Sequence, residues 1–170
     1  GPVKPGAWEG LSRVFRYPGP GYAEELHAAR EGIPAPGLEA LEGAVSGRDL
    51  EEMQELYTST FDLNPVCTLD LGWHLFGEDY ARGVFLTRLR SEHRRLGVDE
   101  EGELPDHLST VMTLVPRMGT EEASRFCRDF LLPALDKMTA KLKESSRPYV
   151  GALEAVMKLA QEPPKEPSHG

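Results

Sequence analysis

The feature that most restricts this chain is its choice of aliphatic residue. Leu outnumbers Ile and Val together about two to one, and Ile33 is the sole isoleucine. β-Branched residues suit the pleated surface of a strand, whereas Leu, Glu, Arg and Ala suit helices. No stretch sustains the alternation of apolar and polar residues that a half-buried strand needs. The chain therefore reads as all-α: a single compact, helical bundle-like domain of roughly eight or nine helices. Its 170 residues are enough for one sizeable core.

Punctuation divides the chain. Pro18-Gly19-Pro20-Gly21 closes a short helix bearing Trp8, Leu11, Val14 and Phe15. Helices follow at Tyr22–Arg30 and Leu38–Val45. Asp49 reads as the N-cap of a helix with Leu50, Met53, Leu56, Tyr57 and Phe61 on one face. Residues 62–68 form a loop, and a short apolar helix spans Leu69–Phe76. Asp79 caps a long helix with Tyr80, Val84, Phe85, Leu89 and Leu96 turned inward, ending at Gly97. After an acidic connector, a helix is expected from Leu104, with Pro105 in its first turn and Leu108, Val111, Leu114, Val115 and Met118 as its stripe. A helix from Thr120 should be kinked or split by Pro133. The last begins near Pro148. Residues 1–7 read as a flexible start, with Gly1-Pro2 the remnant of a cleaved tag; residues 8–160 form the domain and residues 161–170 a mobile, Pro-rich tail.

Charge bounds the partners. Asp and Glu number 28 against 19 Lys and Arg, a net charge of -9. Such a chain repels nucleic-acid phosphates and anionic lipid surfaces, and no apolar run approaches the length of a membrane span. No basic start followed by an apolar run is visible, and two cysteines make no disulfide framework, so a reducing cytoplasm is the expected compartment. The acids are clustered between Glu39 and Asp62 and between Asp99 and Asp106, while Arg82, Arg88, Arg90, Arg94 and Arg95 crowd one helix. Solvated helix faces explain this blandly. The sharper reading is an acidic rim around an apolar groove that takes a basic amphipathic peptide.

Motifs for catalysis are missing. There is no P-loop, GxGxxG, HExxH, CxxC or GxSxG. His27, His93 and His169 read as surface or core-edge imidazoles, Cys127 as a small core residue, and Cys67 as a loop cysteine with greater scope for reactivity. The most informative segment is Glu103-Leu104-Pro105-Asp106-His107-Leu108. At a helix start, the dipole favours Asp106, and His107 can change charge near neutral pH. Its Asp-His order is the reverse of that in metal phosphohydrolases.

Taken in order, several segments resemble one family. Tyr57-Thr58-Ser59-Thr60-Phe61-Asp62-Leu63, Leu69 to Phe76, and Tyr80-Ala81-Arg82-Gly83-Val84-Phe85-Leu86 are similar to the NarJ family. This is the respiratory nitrate reductase delta-subunit group within the wider TorD/DmsD redox-enzyme maturation chaperones. Glu103 to Leu108 matches the Asp-His signature of that superfamily. Tyr17-Pro18, Leu132-Pro133-Ala134-Leu135 and Pro148-Tyr149 also fit, so that the likeness spans roughly residues 8–160. The Pro-x-x-Ser-x-Tyr continuation of the TorD side is lacking, which favours the nitrate-reductase branch.

The resemblance implies an all-helical, non-catalytic, cytoplasmic chaperone with no cofactor or metal of its own. Its partner would be the apo catalytic subunit of a membrane-bound nitrate reductase, bound by the N-terminal segment while the molybdenum cofactor is inserted. Cofactor-loading proteins are the further implied partners. The implied peptide-binding residues are Asp106 and His107 and, more loosely, Tyr57, Phe61, Trp73, Leu75 and Phe76, with Asp62, Glu103 and Asp106 meeting basic residues of the client. Plain core packing is the competing account of the aromatics. The alternatives are a chaperone for another molybdoenzyme, a helical adaptor, and a metal-dependent hydrolase using His74, Asp106 and His107.

Overall fold

The computed structural model describes residues 4–33, 37–63, 65–145 and 148–164. Gly1-Pro2, Pro34 and the end of the Pro-rich tail with His169 lie outside the described residues. The regular elements of the described residues are all helices: α1 (Ala7–Ser12), α2 (Tyr22–Gly32), α3 (Leu38–Val45), α4 (Leu50–Phe61), α5 (Leu71–Phe76), α6 (Tyr80–Leu96), α7 (Leu108–Leu114), α8 (Thr120–Phe126), α9 (Leu132–Ser145) and α10 (Val150–Gln161), with short 3-10 and π turns between some of them. α8 and α9 are one rod joined by a π-turn at Cys127–Leu131. That widened turn is what becomes of the expected break at Pro133: it gives room to a ring that would otherwise strike the preceding turn of carbonyls. At the other end, Ala7 is already helical and buried, so order begins inside the segment expected to be flexible.

Local chemistry accounts for several boundaries. Asp49 accepts from the Glu52 N–H at 2.9 Å, and the Glu52 side chain accepts in return from the Asp49 N–H, a complete capping box. Asp79 accepts from the Ala81 N–H at 2.9 Å at the start of α6. Gly97 ends α6 in the left-handed conformation, φ 69°.

Two expectations for this half of the chain are corrected. Tyr80 is 87% exposed and Val84 36%. The buried stripe of α6 is Phe85, Leu89 and His93; Tyr80 lies about 140° around the helix from Phe85, and so faces out. Second, no helix starts at Leu104. α7 begins at Leu108, because the backbone ahead of it is committed elsewhere. Leu71 N–H donates to Asp106 C=O at 3.0 Å and Leu108 N–H to Leu69 C=O at 2.9 Å, an isolated antiparallel bridge between Asp70 and His107. Pairing with a distant segment takes up the groups that a helical turn would need.

The core runs the length of the bundle. α1 packs on α2 and α7, and α9 on α5 and α10. At one end an aromatic cluster joins four elements. Tyr22 OH donates to Val14 C=O at 2.6 Å and meets Tyr149 OH at 2.8 Å, and Tyr57 OH donates to Phe15 C=O at 2.8 Å. Phe61 sits edge-on to Tyr149 at 4.7 Å and to Tyr57 at 5.1 Å. Both cysteines are buried, so Cys67 lacks the exposure that the reactivity expected of it would need.

α3 and α10 touch backbone to backbone. A Cβ on Gly151 would lie 2.1 Å from the Gly37 carbonyl oxygen. Gly151→Ala is therefore expected to cost about 1–3 kcal/mol, seen as a melting temperature lowered by several degrees. An unchanged melting curve would show that this contact does not hold the helices.

Candidate functional site

Asp106 and His107 do not begin a helix together; each closes the start of a different one. Asp106 is fully buried. Its carbonyl takes the Leu71 N–H, and its carboxyl Oδ2 takes the Gly72 N–H at 2.7 Å. These are two of the unpaired donors at the start of α5, so Asp106 caps α5 from 34 residues away. Only glycine permits this approach, since a Cβ on residue 72 would lie 2.7 Å from Oδ2. Burial, and then the charge of Asp70, push the Asp106 carboxyl up to about 6.

His107 is the N-cap of α7. Its Nδ1 accepts from the Ser109 N–H at 3.2 Å and lies 2.8 Å from Ser109 Oγ. A nitrogen that accepts a backbone N–H carries no proton, so a neutral ring holds its proton on Nε2. Burial, with Arg16 nearby, pushes His107 down to about 4. The expected change of charge near neutral pH is thus not available to it. Its 3.8 Å approach to Glu103 is accordingly not an ion pair at neutral pH. His74 is likewise pushed down to about 4 by burial. Its Nε2 lies 2.6 Å from Thr68 C=O and its Nδ1 3.0 Å from Lys141 Nζ. Among the described residues no cluster of His, Cys, Asp and Glu has the geometry to hold a metal ion.

The Asp70–His107 bridge forms the floor of a two-part cleft. One half, about 280 Å³, is lined by Tyr17, Tyr57, Phe61, Leu104 and His107 with the acids Asp62, Asp70 and Glu103. The other, about 300 Å³, shares Phe61, Asp62, Thr68 and Asp70 and adds Trp73 and Arg82. Burial holds the Asp62, Asp70 and Glu103 carboxyls above the usual range, and Asp62 raises Asp70 while both raise Glu103. Six large hydrophobic side chains in the described residues are exposed. Of these, Tyr17 and Leu104 line the cleft, and Leu63 and Val66 belong to the loop between its wall residues Asp62 and Thr68. The cleft thus combines exposed apolar side chains with three acids. Three wider hollows, about 530, 520 and 350 Å³, lack that combination: one is walled largely by Gly, Ala and Pro with scattered charges, the second by charges such as Arg16 and Glu101 that already pair with each other, and the third, beside Trp8, Pro116 and Leu159, takes in none of the six exposed hydrophobic side chains.

Over residues 27–155 the sequence matches the nitrate reductase delta subunit family. The chain belongs to that family. Its fold is shared with the crystal structure of a proposed redox enzyme maturation protein from Archaeoglobus fulgidus: the TM-score is 0.65 at 24% identity, over 91% of this chain and 92% of that one. No curated protein matches it.

Against this delta-family fold, the residues named from sequence separate. Tyr57, Phe61, Asp62, Trp73 and His107 line the cleft. Tyr57 and Phe61 are chiefly core residues, 4% and 3% exposed, that present an edge to it, whereas Trp73 is half-buried. Leu75, Phe76 and Asp106 line neither half. Phe76 packs on Phe85 with ring centres 5.4 Å apart. Sequence reading missed Tyr17, Asp70, Leu104 and Arg82 as walls. Asp70 left a signal, as an acid next to the helix start at Leu71; Tyr17 and Leu104 left none.

The cap on α7 gives a pH test. His107 has its folded pKa below its unfolded one, so the unfolded chain binds the extra proton between about pH 6.5 and 4, and stability falls as pH drops through that window. Asn also caps well but does not titrate. His107→Asn is expected to match the wild type near pH 7 and to melt above it near pH 4.5. Equal losses on acidification would show that His107 is not held neutral.

Proposed function

We propose that this chain is a maturation chaperone for a molybdenum oxidoreductase of the nitrate reductase type. It binds the N-terminal segment of the apo catalytic subunit and holds that subunit while the molybdenum cofactor is inserted, and it works in the cytoplasm. Proteins that load the cofactor are its further partners. The observation that carries this is the cleft: three acids under an apolar rim, on a delta-family fold.

The client segment enters as an amphipathic helix. Its apolar face lies against Trp73, Tyr17, Leu104 and the exposed edges of Tyr57 and Phe61. Its basic residues meet Asp62, Asp70 and Glu103, and the Nε2–H of His107 is left to donate to a carbonyl or carboxylate of the guest. Tyr and Trp give rigid contact area at little entropic cost. Asp106, Leu75 and Phe76 act from behind: Asp106 sets the position of Asp70 and of His107, and Phe76 packs α5 against α6 through Phe85. No helix among the described residues is long and apolar enough to cross a membrane.

Titration calorimetry with the N-terminal peptide of a nitrate reductase catalytic subunit from the same organism tests the reading. Trp73→Ala should weaken binding by about tenfold or more, as loss of an aromatic anchor does. Asp62→Asn should weaken it a few-fold and flatten its dependence on salt, since half-exposed charges are screened. If both variants bind as the wild type does, the cleft is not the site. If the apo subunit also fails to co-purify with the chaperone, the chaperone assignment fails with it.

A further inference from the structure

The acidic cleft already holds a cation. Arg82, in the first turn of α6, lines the half that Trp73 walls. Its stem passes over α5 at Gly72, with Cγ 3.2 Å from where a Cβ on that glycine would stand. Its guanidinium reaches Asp70, Nη2 to Oδ2, at 3.9 Å. That is an ion pair without a hydrogen bond. Arg82 Nε is buried and has no hydrogen-bond partner. Behind it, Asp106 Oδ1 is also buried and without a partner. A donor and an acceptor are therefore left unmade on the same face of α5, where both side chains pass the Cβ position of Gly72, while the guanidinium stands loosely over an acid of the cleft. Unmade buried polar groups are costly, and a small movement that joins them is favourable.

An arginine arriving from solvent is not so constrained. It can approach the Asp70 carboxylate with two parallel N–H groups, the strongest geometry for such a pair. The Arg82 side chain is 27% exposed, so it has room to withdraw. Arg16, whose charge reaches Glu103 and His107, lines a different hollow and is already paired with Glu101. Arg82 is thus the cation with a weakly held place.

We propose that Arg82 is a built-in competitor that sets the selectivity of the cleft: a basic residue of the client binds Asp70 by displacing the Arg82 guanidinium, which moves toward Asp106. This rests on the reading of the cleft as a peptide site. A guest without a cation leaves Arg82 in place and meets a cleft whose central acid is already covered. A guest with a cation takes over Asp70 and leaves Arg82 free to satisfy Asp106. The cleft therefore discriminates by charge through its own arginine as well as through its acids.

The test is calorimetry on the full chain at low salt with two probes. One is the client's N-terminal peptide; the other is that peptide with its Lys and Arg replaced by Gln. Arg82→Gln should tighten the basic peptide roughly two- to fivefold, the scale of a half-exposed ion pair, and leave the neutral peptide unchanged. The gain should vanish in an Asp70→Asn background. Arg82→Met keeps the stem over Gly72 and should show the same gain, which covers a folding defect in the Gln variant. If Arg82→Gln weakens the basic peptide, leaves it unchanged, or tightens both probes alike, the proposal is overturned while the peptide site stands. A wild-type chain that binds neither probe overturns both.

Discussion

The cleft depends on one buried carboxyl group. Asp106 caps α5 with its carbonyl and its side chain together, and the next residue, His107, caps α7. Two helix starts are thereby locked back to back through a single dipeptide. The pieces are otherwise too small to hold themselves: α5 has six residues and α7 seven, well short of what is stable alone in water. Burying a carboxyl is unfavourable, and its raised pKa records that. A hydrogen bond to a charged group contributes about 1.5–3 kcal/mol in return, and the backbone bridge adds two more bonds. The arrangement requires glycine at 72 and leaves one oxygen of Asp106 unmade.

From this lock the cleft follows. Asp70 is the bridge partner of His107, so the two face the same hollow from opposite strands of a two-bond ladder. Asp62 comes from the end of α4 and Glu103 from the connector before Asp106, and the carboxyls are near enough to raise one another's pKa. A net charge of -9 is by itself only a bias against anionic partners. Three acids drawn together from three segments, beneath exposed Tyr17 and Leu104, concentrate that bias in one cleft, which is why the proposed guest is basic and amphipathic.

How much of this could be read beforehand depended on range. The helices were legible because their causes are local: the Leu stripes, the caps at Asp49 and Asp79, the glycine stop at Gly97. The start of α7 was misread at Leu104 because the backbone of residues 104–108 is claimed by residues 69–71, and no local pattern reports such a claim. Tyr80 was misplaced because a first-turn aromatic looks like part of the stripe until the stripe is known to be Phe85, Leu89 and His93. The acid runs were visible, but which acids meet was not, and Asp70 was overlooked for standing alone in its segment. His107 was read as a titrating side chain; its burial and its bond from Ser109 keep it neutral.

The proposed client site lies between α4, α5 and the 103–107 turn. Backbone NMR of the full chain, titrated with the client's N-terminal peptide, reports this directly. A site there requires the largest shifts at Asp62, Asp70, Trp73, Glu103, Leu104 and His107, with little change at Ala28, Ala29 and Gly32 beside the hollow between α1 and α2. Shifts concentrated at that hollow, and a silent cleft, would contradict it.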